Sequence, residues 1–277
     1  MTLSASEHNS MESHGTYTVA AGSTVGREHL RLHRNNQDAV AAGEDDDVVV
    51  AVVADGCSGG RFSEVGARLV AQVAVARAPL VFRSERSPRE FADGLFQALE
   101  SALDAVAALV PKAARADIVR DCLLASILVA VVDRRPGGLA VVVGIGDGVV
   151  CIDGRVEVID PGPENAPPYL GYRLLPSSAV AREAGGLSPV VHHAGAGSET
   201  ATILIATDGA IALPEGELLG LSSDPRLDRN PSLLHKRLVV LSATERSLHD
   251  DVTVAVIRRC AREEREPVDA GRGMPCS

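Results

Sequence analysis

Tryptophan is absent from this chain, and only four Phe and three Tyr stand among its 277 residues. A single-strand nucleic-acid platform stacks bases on several exposed rings, so that class is excluded. Lysine is nearly missing as well: Lys112 and Lys236 stand alone among arginines. The five cysteines (Cys57, Cys122, Cys151, Cys260 and Cys276) are odd in number and scattered, with no CxxC pair. Neither a disulfide framework nor a zinc site fits that pattern. No run approaches the roughly 18 apolar residues of a membrane span, and the polar opening as far as Gly15 lacks the apolar stretch of a signal peptide. No internal repeat or Pro/Gly/Ser linker divides the middle. These absences predict a cytoplasmic protein in a reducing compartment, without membrane or nucleic-acid partners. The expected organisation is a disordered N-terminus over 1–15, one catalytic domain over 16–260 and a flexible tail over 261–277.

Apolar residues make up 45% of the chain, so the core must be built from Val, Ala, Leu and Ile. The 27 basic and 37 acidic side chains leave a net charge of −10, which repels phosphate backbones and anionic membranes on average. A pattern recurs within that acidic excess: a short β-rich run ends at an acidic residue. Val48 to Ala54 runs into Asp55-Gly56, Leu139 to Gly144 into Gly146-Asp147-Gly148, and Ala201 to Thr207 into Asp208-Gly209. After Asp250-Asp251 comes the alternating run Val252 to Ile257. Val/Ile-rich runs of this length bounded by turn residues predict strands. Cys122 to Val132 reads as another strand, and Val149 to Ile152 and Val156 to Ile159 flank Asp153-Gly154 as a hairpin. Helical spacing is present over Ser63 to Ala78, with Ser63 as its expected cap, and over Ser87 to Leu109, opened by Ser-Pro-Arg-Glu. A weaker helix is expected over Pro231 to Ser242, and a loop-rich stretch from Asp160 to Gly197. Helices grouped between runs of strands indicate an α+β domain built on antiparallel sheet.

One Asp-Gly at a strand end is ordinarily a turn. If the strands share an edge, Asp38, Asp55, Asp147, Asp208 and Asp250 converge, and such a cluster stays ionised only when cations neutralise it. Oxygen-only ligands suit hard ions, Mg²⁺ or Mn²⁺. A pair of such ions about 3.5–4 Å apart activates water against a phosphoryl centre.

Asn36-Gln37-Asp38-Ala39, Val53-Ala54-Asp55-Gly56 with Gly59-Gly60, Gly146-Asp147-Gly148, Ala206-Thr207-Asp208-Gly209 and Asp250-Asp251-Val252-Thr253 together resemble the successive motifs of the protein phosphatase 2C family. The likeness spans about Thr18 to Arg258. It implies an α-β-β-α sandwich of two antiparallel β-sheets flanked by helices, with metals at one end between the sheets. It also implies two Mg²⁺ or Mn²⁺ ions, with room for a third. Asp55 resembles the carboxylate bridging both ions, the Gly56 carbonyl a backbone ligand, and Asp208 and Asp250 the carboxylates of the other ion. Asp147 resembles a ligand of the third ion, and Asp38 a residue orienting metal-bound water. The implied chemistry is direct attack of a metal-bridging water on a phosphoserine or phosphothreonine of a protein substrate, with a cognate Ser/Thr kinase as the opposing partner.

The chain departs from the family pattern at three places. Gln37 stands where many members carry Glu. The glycine-rich loop, Asp55-Gly56-Cys57-Ser58-Gly59-Gly60, is one residue longer than the common pattern and lacks its His, as many bacterial members do. The usual phosphate-binding Arg aligns with His33, leaving Arg31 and Arg34 as neighbouring candidates. These departures also motivate a runner-up, a catalytically weak or silent phosphoprotein-binding regulator. Elsewhere, Glu44 to Asp47 reads as a solvated turn, His192-His193 as surface loop, and Cys57 as loop filler. Asn165 to Leu175 reads as a flap in which Tyr169 and Tyr172 face substrate or pack internally.

Overall fold

The run from Val48 to Ala54 is apolar at every position because both faces of its strand are covered. A computed structural model describes residues 16–85, 87–163, 166–175 and 187–260; the proposed disordered terminus, the proposed tail and Asn165 lie outside the described residues. Ten strands are present among the described residues: β1 Tyr17–Thr24, β2 Asp38–Glu44, β3 Val48–Gly56, β4 Ala125–Asp133, β5 Leu139–Ile145, β6 Gly148–Ile152, β7 Arg155–Ile159, β8 Val190–Ala196, β9 Thr202–Ala206 and β10 Val252–Arg259. They form two five-stranded sheets, β1-β10-β9-β6-β7 and β2-β3-β4-β5-β8, with antiparallel pairing throughout.

Strand alternation sorts the side chains into three layers. Val49, Ala51 and Val53 of β3 meet Ile203, Ile205, Ala255 and Ile257 of the other sheet in the inter-sheet core. Val48, Val50, Val52 and Ala54 turn outward, toward helices. Those helices are α1 Arg27–Arg31, α2 Glu64–Ser84, α3 Pro88–Ala107, α4 Arg115–Ile118, α5 Glu217–Ser223, α6 Arg226–Arg229 and α7 Ser232–Thr244. Helices α2 and α3 cover the second sheet, while α5, α6 and α7 cover the first through Leu221, Leu227, Leu234 and Leu238. The result is the expected α-β-β-α sandwich.

Helix α3 begins as its sequence dictates. Ser87 accepts a hydrogen bond from the Glu90 N–H, and Pro88 occupies the first turn, where a missing N–H costs nothing. Its stripe of Phe91, Leu95, Phe96, Leu99 and Leu103 is at most 1% exposed, each side chain contributing roughly 1.5–3 kcal/mol. Helix α2 is long and apolar enough to cross a membrane by length and composition; here its stripe of Ala67, Val70, Ala71, Ala74 and Ala78 packs into the core beneath β3.

Four sequence expectations are corrected. Ser63 does not cap α2: it already has helical φ and ψ and makes no capping bond, and its carbonyl accepts from Ala67 N–H at 3.1 Å. Cys122 to Val132 is not one strand, because the chain makes a π-helical turn over Val119–Leu123 before β4 starts at Ala125. The loop-rich stretch contains β8, and His192-His193 belong to it. A bulge at His192 breaks the pairing with β5, and the ring of the half-buried His192 lies 3.7 Å from Glu157. The strand was hidden because its Gly195 and paired histidines carry little β signal.

Candidate metal centre

The inner-face residues of three strands, continued by two positions, lead to one end of the sandwich. On β3, Val49, Ala51 and Val53 are followed by Asp55; on β9, Ile203 and Ile205 by Thr207; on β10, Ile257 and Ala255 are preceded by Thr253 and Asp251. In the ladder, Asp55 stands opposite Asp38 on β2 and opposite Ser126 on β4. Asp147 arrives differently. The turn Gly146-Asp147-Gly148 carries the chain from β5 in one sheet to β6 in the other, with φ of 101° at Gly146 and 138° at Gly148. A Cβ at Gly146 would lie 2.2 Å from Ser126 Cβ, so only glycine allows that crossing. Asp208 opens the 3-10 turn Asp208–Ala212 after β9, and Asp250 lies two residues before β10.

The five carboxylates act on one another electrostatically. Burial raises the Asp55 carboxyl well above its ordinary value, and the charges of Asp38, Asp208, Asp250 and Asp147 raise it further. Asp38 is pushed up to about 8 by burial first and then by Asp251, against hydrogen bonds that oppose the shift. Asp208 is pushed up to about 6 by burial and by Asp147 and Asp250, and burial raises Asp147. Thr207 Oγ1 donates to Asp38 Oδ2 at 2.8 Å and accepts from Thr253 N–H at 3.0 Å. Asp147 Oδ1 is buried with no hydrogen-bond partner, which costs about 1–3 kcal/mol unless a ligand meets it. An oxygen-only cluster with an orphaned buried carboxylate oxygen fits hard divalent cations.

His29, Asp250 and Asp251 also bring possible ligand atoms within 4.8 Å of one another, yet Asp251 is already satisfied by the protein. Its Oδ1 accepts from Gly26 N–H at 2.7 Å; its Oδ2 accepts from Gln37 N–H at 2.7 Å and His29 Nδ1 at 2.8 Å. Asp251 therefore clamps the segment before β2 against β10. The sequence reading missed this clamp, and its one signal was the doublet Asp250-Asp251, whose members alternate between cleft and interior. Asp251→Ala would orphan three donors at a position 1% exposed. We expect a loss of about 3 kcal/mol, read as a lowered urea midpoint; a change below about 1 kcal/mol would contradict the clamp.

The three phosphate-binding candidates are not equivalent. Arg31 pairs with Glu28 on the surface. His33, exposed, has φ of 53° in the turn that ends α1. Arg34 Nη1 donates to the Ser58 carbonyl at 3.2 Å, on the loop that follows Asp55. The buried Gln37 side chain turns to the same loop, its Nε2 lying 3.4 Å from the Gly60 carbonyl. In the flap segment, the Tyr169 and Tyr172 rings stand 5.4 Å apart. Burial raises the Tyr169 hydroxyl, helped by Cys57 and the charges of Asp55 and Asp147, and Tyr169 packs in the core under α2 and α3.

A protein-family model described as Protein phosphatase 2C matches residues 25–250. No curated protein matches the chain. Among solved structures, a bacterial serine phosphatase superposes with a TM-score of 0.55 at 14% identity, over 90% of this chain and 100% of that one. A serine-threonine phosphatase 2C from Toxoplasma gondii gives 0.53 at 14% identity, over 88% and 96%. At such identities the likeness speaks for the fold.

Proposed function

The chain belongs to the protein phosphatase 2C family, and as a phosphoprotein phosphatase of that family we propose that it is a Mg²⁺- or Mn²⁺-dependent hydrolase of phosphoserine and phosphothreonine in proteins. The observation that carries this reading is the convergence of Asp38, Asp147, Asp208 and Asp250 on Asp55, strong enough for each of the four to raise its carboxyl. Asp55, the Gly56 carbonyl, Asp208 and Asp250 would hold two ions, and Asp147 a third. Bound there, such ions supply the positive charge that stabilises a phosphoryl transition state and lower the pKa of water toward neutrality.

The chain's own groups complete the site. Asp38, hydrogen-bonded to Thr207, is positioned to hold or accept a proton between the sheets. Arg34, anchored on Ser58, supplies the guanidinium for phosphoryl oxygens in place of the residue aligned with His33. An acidic chain thus binds a dianion because the ions present the positive charge. The substrate's kinase, the cytoplasmic setting and the bacterial character are part of the same proposal.

The test is hydrolysis of p-nitrophenyl phosphate and a phosphoserine peptide over a range of Mn²⁺. Activity is expected that EDTA abolishes and Mn²⁺ restores. Protein that binds Mn²⁺ by calorimetry yet hydrolyses neither substrate would instead support the runner-up, a silent phosphoprotein-binding regulator. Gln37 favours that second reading, because its neutral amide is directed at Gly60 and adds no charge to the cluster.

A further inference from the structure

We propose that α1 and the loop over residues 57–63 form a substrate-docking rim selective for an extended phosphoserine or phosphothreonine segment with an apolar side chain and a carboxylate beside the phosphorylated residue. The proposal rests on the phosphatase reading and specifies its substrate class. Four large apolar side chains are exposed on these segments and directly beside them: Leu30 of α1 at 58%, Leu32 just after it at 48%, Phe62 of the loop at 51% and Val65 in the first turn of α2 at 47%. Two hydrogen bonds tie the pieces together. Arg34 Nη1 reaches the Ser58 carbonyl at 3.2 Å, and Asn35 Nδ2 donates to Glu64 Oε1 at 2.7 Å. Exposed apolar side chains grouped beside a site mark an interaction surface more often than scattered ones do. The group adjoins the strand end that carries Asp55.

Charge decides the kind of partner. The protein carries −10 overall, and on α1 Arg31 is paired to Glu28. Arg34 and Arg61 are exposed, and among the described residues neither lies within ion-pair distance of a carboxylate. Arg61 Cζ stands 5.8 Å from the Phe62 ring centroid, which braces the exposed ring by a cation–π contact. With Arg34 facing the phosphoryl group, the Arg61 guanidinium beside the exposed Phe62 ring matches a peptide that offers both a carboxylate and an apolar group. Arg27, Arg34 and Arg61 are too few for a nucleic-acid backbone, which needs a longer positive track.

The experiment compares two phosphoserine peptides, one with Leu and Glu beside the phosphoserine and one with Gly and Lys there. Wild-type protein is expected to prefer the first by about tenfold in kcat/KM, the difference lying in KM. The exposed substitutions Phe62→Ser and Arg61→Glu should collapse that ratio toward one without lowering the melting temperature. A wild-type ratio near one, or a ratio that survives both substitutions, would overturn the proposal. If neither peptide nor p-nitrophenyl phosphate is hydrolysed, the phosphatase reading fails separately. Fluorescence anisotropy of the same labelled peptides then decides the rim: unequal binding that both substitutions abolish supports it, and equal binding overturns it.

Discussion

Asp55→Asn is expected to abolish Mn²⁺-dependent hydrolysis of p-nitrophenyl phosphate while making the metal-free protein more stable. Both effects come from one arrangement. Asp55 faces Asp38 across the ladder, and its carboxyl is raised by burial and by four neighbouring carboxylates. Without ions, folding must bring these like charges together, which is unfavourable. Asparagine keeps the shape and removes one charge, so repulsion falls. A gain of about 1–2 kcal/mol corresponds to a few degrees in melting temperature. The same charge is what a divalent ion would bind, so the stabilisation that Mn²⁺ gives by mass action should shrink. Activity should drop at least about a thousandfold. Thermal melts in EDTA and in Mn²⁺, paired with the hydrolysis assay, read all three quantities. An Asp55→Asn protein that loses stability in EDTA, or retains a tenth of the activity, would refute the account.

The metal-free protein is also expected to lose stability as pH rises from about 7 to 8.5, a window in which most domains are insensitive. Asp38 is pushed up to about 8 in the fold, against about 3.9 in an unfolded chain. Below about pH 4 both states hold the proton and no penalty exists. Between those values the folded state binds more protons than the unfolded one, so stability falls as pH rises through the folded value. Asp208, raised to about 6, adds the same sign at lower pH. Half-buried His192 and His193 are lowered by burial and run the other way up to about pH 6.5, so the interval above pH 7 reports the facing pair Asp38 and Asp55, whose carboxyls are both raised. Asp45, Asp133 and Asp224 are lowered by arginine contacts and backbone bonds, and their contributions are lost only in acid. Urea midpoints in EDTA should fall by roughly 1 kcal/mol per retained proton across the window. Saturating Mn²⁺ should flatten the curve, because ions favour the ionised cluster. A midpoint that stays flat in EDTA would rule out the proton held by the Asp38–Asp55 pair.

Much of this was legible before the structure. The Val-rich runs are strands, and the Ser-Pro-Arg-Glu start opens α3. The Asp153-Gly154 turn, with both residues at positive φ, closes the predicted hairpin. What stayed hidden had physical reasons. β8 is an edge strand built from paired histidines, alanine and glycine, whose identity depends on β5 beside it. Ser63 has a capping side chain, but its own backbone is already helical instead of extended, and it makes no capping bond. In the sequence Asp251 is half of a motif, while its three hydrogen bonds reach residues 214 to 225 positions away.

The sequence alone determined the local chemistry: which residues make strands, where glycine permits a turn, and that carboxylates sit at several strand ends. Period-two alternation even determined that Asp55 shares a face with Val49, Ala51 and Val53. Only the tertiary structure decided that these ends meet, because the partners are joined by pairing between segments far apart in the chain and by one crossing from sheet to sheet at Gly146 and Gly148. It also separated Asp250, left at the cleft, from Asp251, consumed as a clamp, and Arg34, anchored on the loop, from Arg31, neutralised by Glu28. Adjacent residues of the same type receive different roles because burial and partner, which are properties of the fold, set what a charged group can do.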